Sequence, residues 1–180
     1  MFKPADVVFV MHENNKLSKI IAWFMRSKWS HSALVSTMMF NRWFLTETSD
    51  VQVYGNFLDK YLNDPECSVI VLRDPNLTEQ EREDIGKAST KQYGILYGFI
   101  QLPAFAIREI IFRIFKKLVK PFWKSGQVCC HVISYAFRDA LGNSHFLGRI
   151  EPESFHTEEL YQMLLRNGFQ IVFEKKGIKK

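Results

Sequence analysis

Two Asp-Pro pairs, Asp64-Pro65 and Asp74-Pro75, fence the run Ser68-Val-Ile-Val-Leu-Arg73, which constrains the fold more than any other segment. The run is too short for a stable helix, is rich in β-branched residues and reads as a buried strand. A buried strand needs backbone partners, so the chain must supply further strands. Candidates are Val7–Met11, His31–Thr37, Trp43–Thr48, Val51–Tyr54 and Phe169–Phe173. A polar turn at Asn41-Arg42 joins the second and third, and Gly55 is expected to start a helical turn with Phe57, Leu58 and Leu62. Leu17, Ile20 and Ile21 predict a helix over about 16–27. Thr78 with Glu79, Glu81 and Glu83 predicts another, running to about Gln92, because acids suit a helix N-terminus. Two further helices are expected, from Cys129 with Val132, Ile133, Ala136, Phe137 and Ala140 on one face, and over Glu158–Asn167 with Gly168 as its cap. Strands clustered early, with helices before and after them, indicate α+β.

The 180 residues, 47% hydrophobic and 24% charged, suit one domain over 1–180 and exclude disordered and low-complexity classes. The net charge is +5, and it is local. Between Leu102 and Lys124, Arg108, Arg113, Lys116, Lys117, Lys120 and Lys124 face only Glu109, which accounts for the whole excess. A globally basic nucleic-acid binder would look different, so nucleic acid is not expected as a partner. Three cysteines are too few for a disulfide framework and suggest reduced thiols in the cytoplasm. The apolar run Val7–Met11 is too short for a signal sequence. The charge-free stretch from Tyr93 to Ile107 falls short of the roughly 20 apolar residues a spanning helix needs.

The chemistry is concentrated in Gln127-Val-Cys-Cys-His-Val-Ile. A thiol in the first turn of a helix has its thiolate stabilised by the dipole and by free N–H groups, which also suit an oxyanion. Cys129 precedes Ile133 and Ala136 by four and seven residues. That sets it over the sheet-packing face as a nucleophile, with Cys130 as a packing thiol. A thiolate nucleophile needs an imidazole, and the imidazole needs an orienting group. His31 opens a strand. Glu47 shares an otherwise apolar strand face with Trp43 and Leu45, where a carboxylate needs a partner. His131 points away from Cys129, and His12, His145 and His156 are expected to face solvent. The bland readings are a buried small hydrophobe for Cys129 and a satisfied structural imidazole for His31. Metal-ligand spacing such as C-x-x-C is absent, so no metal or organic cofactor is expected.

In order along the chain these segments resemble the circularly permuted papain-like hydrolases and acyltransferases of the NlpC type, especially the YiiX/YebB-like branch. More distantly they are similar to lecithin retinol acyltransferase. The matching segments are Ala5-Asp6-Val7, Trp29-Ser30-His31-Ser32, the strand carrying Glu47, the Val51–Tyr54 strand, Phe57-Leu58, Val69–Arg73, Tyr97-Gly98 and Cys129-Cys130. The departures are Ala5 where the family prefers Gly and Cys130 where Ser is usual. The resemblance implies an antiparallel, partly barrelled sheet with the nucleophile helix packed against it, Cys129 as nucleophile, His31 as base and Glu47 as third residue. The expected activity is cleavage or transfer at an amide, ester or thioester of a peptide or lipid-linked substrate.

Arg113, Lys116, Lys117 and Lys120 fall within about 100° of arc on a helix over 102–123, opposite Ile107, Ile111, Ile114, Phe115, Leu118 and Phe122. One reading is a helix packed on the domain or on a partner. The other is an in-plane membrane helix whose basic face meets anionic headgroups. An idle binding module docking through this helix is the alternative to the enzyme.

Overall fold

In the computed structural model, residues 1–24, 26–48, 51–96 and 128–179 are described; the basic segment 102–123 and the Tyr97-Gly98 motif lie outside them. Six strands, β1 (Val7–His12), β2 (His31–Met39), β3 (Arg42–Thr48), β4 (Val53–Phe57), β5 (Cys67–Arg73) and β6 (Gln170–Lys175), form one sheet. Its order is β4-β3-β2-β1-β5-β6 and every pairing is antiparallel. The sheet is open, with β4 and β6 as separate edges, so it does not close into a barrel. The β2–β3 turn falls on Phe40 (φ 52°) and Asn41 (φ 58°), one residue earlier than expected. Two successive positive φ values give the primed turn that matches the strand twist.

The helices are α1 (Lys16–Phe24), α2 (Asp59–Leu62), α3 (Glu79–Thr90), α4 (Cys129–Leu141), α5 (Phe146–Arg149) and α6 (Thr157–Arg166). Thr78 caps α3 in a full capping box, its hydroxyl accepting from the Glu81 N–H while Glu81 accepts from the Thr78 N–H. On one face of the sheet, Val7, Phe9, Leu34, Ile70 and Leu72 pack against Ile85 of α3, Ile133 and Phe137 of α4, and Leu160 and Leu164 of α6. On the other, Val8, Val10, Ala33, Val35, Leu45, Val69 and Val71 pack under Leu58 and Tyr61. The central strands β1 and β5 therefore bury both sets of side chains, as the fenced run requires.

One strand departs from expectation. β4 continues through Gly55 to Phe57, and the helical turn begins only at Asp59. Gly55 is mid-strand because the Phe44 ring lies over it; a Cβ there would fall 2.3 Å from that ring. Ala5, where the resemblance leads one to expect Gly, has φ 66°. That left-handed conformation costs an L-residue about 1–2 kcal/mol.

Candidate active site

β2 and β3 pair with Leu34 opposite Thr46 and Val35 opposite Leu45. Continuing that register sets Glu47 beside Ala33, two residues along the same face from His31. The imidazole spans this diagonal, and His31 Nε2 lies 2.8 Å from Glu47 Oε2. Glu47 is fully buried. Its carboxylate also accepts hydrogen bonds from the Tyr54 hydroxyl (2.8 Å), the Asn56 amide (3.0 Å), the Lys60 ammonium (3.5 Å) and the Tyr61 hydroxyl. Burial alone would raise the Glu47 pKa. The His31 hydrogen bond and charge, with Tyr61 and Lys60, outweigh it and hold the carboxyl far below its usual range. The same carboxylate, together with burial, pushes the Tyr61 phenol far up, so Tyr61 stays a donor.

Cys129 is the first residue of α4, as His31 is the first of β2, and the two side chains are near enough to influence each other's charge. Glu47 engages Nε2, which leaves Nδ1 as the ring nitrogen open to a thiol. Cys129 Sγ also lies 3.6 Å from Thr157 Oγ1 at the start of α6. The contact with Cys130 lowers the Cys129 pKa most, burial opposes it, and the His31 hydrogen bond and charge then hold the thiol well below its ordinary range. Burial alone would lower the His31 pKa, but its bonds to Cys129 and Glu47 push it up to about 10. The two shifts run in the directions that favour a thiolate beside an imidazolium. Cys130 behaves oppositely: burial and the adjacent Cys129 raise it well above the thiol range. Its sulfur lies 3.5 Å from the Phe155 carbonyl oxygen.

The structure thus brings Cys129, His31 and Glu47 together, from one helix and two strands. The helical face does not single out Cys129, contrary to the sequence expectation. Cys130, not Cys129, belongs to the core cluster with Ile133 and Phe137, and α4 is buried nearly all round, so no single face distinguishes the thiols. The distinction comes from partners. Tyr54, Asn56, Lys60, Tyr61 and Thr157 escaped sequence reasoning. Tyr54 carried a signal, because register sets it directly opposite Glu47. His145 and His156 do not face solvent. His145 Nε2 lies 3.0 Å from Asp74 Oδ2, and His156 is buried where α6 begins. His12 is half-buried and touches Cys67 and Asp64.

Fold and site together define an α+β protein with an open antiparallel sheet and a site that groups a buried thiol, a half-buried imidazole and a buried carboxylate. No protein-family model matches the sequence, and no curated protein matches it. Among solved structures the chain is similar to the crystal structure of the metalloprotein YiiX from Escherichia coli O157:H7, DUF1105. The TM-score is 0.62 at 14% identity, over 97% of this chain and 98% of that one. The chain has a YiiX-like fold. No helix among the described residues is long and apolar enough to cross a membrane.

Proposed function

We propose that this chain is a cysteine-dependent hydrolase or acyltransferase with a circularly permuted papain-like arrangement, acting through Cys129, His31 and Glu47. The observation that carries the reading is the hydrogen bond from His31 to the buried Glu47 carboxylate, with the Cys129 thiol beside the same imidazole and electrostatically coupled to it. The sequence motifs and the YiiX-like fold support it.

The Cys129 thiolate attacks the carbonyl carbon of an amide, ester or thioester, and the oxyanion forms beside the α4 N-terminus, where helix-end N–H groups stabilise negative charge. The His31 imidazolium then gives its proton to the leaving group. The carbon–heteroatom bond breaks and a thioester to Cys129 remains. Neutral His31 takes a proton from water or an acceptor nucleophile, which attacks the thioester and releases the thiolate. Glu47 holds the ring orientation and stabilises the imidazolium at the start and end of the cycle. The same reading takes peptide or lipid-linked acyl compounds as substrates, with the basic segment 102–123 as the docking element.

Iodoacetamide labelling near neutral pH, mapped by mass spectrometry, tests the nucleophile. Cys129→Ala is expected to remove the fast-labelling site, and Cys130→Ala to retain it. The opposite pattern overturns the assignment.

A further inference from the structure

We propose that His12, Asp64 and Cys67 form a site for a divalent metal ion of the zinc class, distinct from the Cys129 centre. His12 closes β1 and Cys67 opens β5, and the antiparallel register sets them directly opposite each other. Asp64 is tied to Cys67 through the turn, its carbonyl accepting the Cys67 N–H at 3.2 Å. Cys67 Sγ lies 3.0 Å from His12 Nδ1 and 3.3 Å from Asp64 Oδ2, and Nδ1 lies 3.7 Å from Oδ2. Bonds of about 2.0–2.3 Å at tetrahedral angles set ligand atoms about 3.3–3.6 Å apart. The three separations lie within about 0.3 Å of that range, so a small shift of Cys67 and His12 apart brings the donors onto one face of a tetrahedron.

The donor set selects the ion. One thiolate, one imidazole and one carboxylate favour zinc over calcium or magnesium, which prefer all-oxygen shells. The surroundings hold the donors in place. Asp64 Oδ1 accepts the Glu66 N–H at 2.8 Å, which leaves Oδ2 for the ion. The Lys175 ammonium clamps the carbonyls of Tyr61, Leu62 and Asp64, fixing the turn. Cys67 is buried, whereas the His12 and Asp64 side chains are 32% and 34% exposed, which gives an ion an entry path and a place for a water ligand. Binding releases the Cys67 proton to solvent and changes no oxidation state. Tyr61 separates the two centres; its ring centroid lies 6.0 Å from that of His12, and its hydroxyl bonds Glu47.

Cobalt(II) titration of the whole chain, read by thiolate-to-metal charge-transfer absorption and by displacement with zinc, tests the site. The expected result is one Co²⁺ per chain, a band abolished by Cys67→Ser, and affinity lowered about tenfold or more by His12→Asn. Cys129→Ala and Cys130→Ala leave the band intact. No band in the folded chain, or a band that survives Cys67→Ser or vanishes with Cys129→Ala, overturns the proposal. Should circular dichroism show that Cys67→Ser does not fold, His12→Asn and Asp64→Asn decide; unchanged affinity in both overturns the site. Because the readout is metal binding, the outcome is separate from that of the thiol chemistry.

Discussion

Glu47 is a buried charge held by five donors, and its effect reaches Cys129 only through His31. A carboxylate on that face, with no water to solvate it, is stable only because each oxygen has partners. The lowered Cys129 value and the raised His31 value both lean on this arrangement. Glu47→Gln leaves a neutral amide beside His31, so the imidazolium loses its stabilising charge and the Cys129 pKa rises. Iodoacetamide labelling of Cys129 at about pH 6 is expected to slow about tenfold or more, towards an ordinary thiol, which is almost wholly protonated there. In the unsubstituted chain the rate holds as pH falls below 9, where an ordinary thiol already protonates. It falls only as pH drops through the lowered Cys129 value. An unchanged rate in Glu47→Gln would show that the carboxylate does not act through the imidazole.

The elements were legible where local chemistry decides them. The α3 cap at Thr78, the start of α4 at Cys129 and the buried strand between the Asp-Pro pairs follow from residues within a few positions. β4 was not, because the reason for Gly55 is a ring from another strand. Gly86 is a second case of this kind, on the face of α3 that packs against β2. A Cβ at Gly86 would lie 2.1 Å from the Ser36 carbonyl oxygen, a backbone atom beside the irregularity between Val35 and Thr37. Backbone cannot turn aside as a side chain can, so Gly86→Ala must lift α3 from the sheet. The expected cost is about 1–3 kcal/mol, measured as a lowered urea midpoint with an unchanged slope.

For the whole molecule, the coupled site shapes stability against pH. His31, raised from 6.5 to about 10, stabilises fully below pH 6.5, and that contribution fades as pH rises to about 10. Cys129, lowered from 9.0, stabilises fully above pH 9.0, and its contribution fades as pH falls through its lowered value. Between pH 6.5 and 9.0 the two trends cancel, since the folded pair and the unfolded chain hold the same number of protons. Below 4.5, protonation of Glu47 in the unfolded chain adds a further loss. The site's contribution is therefore level from about 6.5 to 9.0 and falls on either side. Urea unfolding of the parent and of the Cys129→Ala/His31→Gln double variant across pH, compared as a difference, checks this. A difference that keeps changing between those limits contradicts the ion pair.

The thiol pair Cys129-Cys130 at a helix start, His31 and Glu47 as its candidate partners, the α+β class and most strand and helix positions were legible in the chain itself, because periodicity, caps and turn residues act over a few positions. Tertiary structure decided which cysteine meets the imidazole, the ring of hydroxyls and amides around Glu47, and the meeting of His12 with Cys67. Those contacts depend on strand register and on where a helix end comes to rest. Both are settled by packing between segments tens of residues apart, which no local pattern encodes.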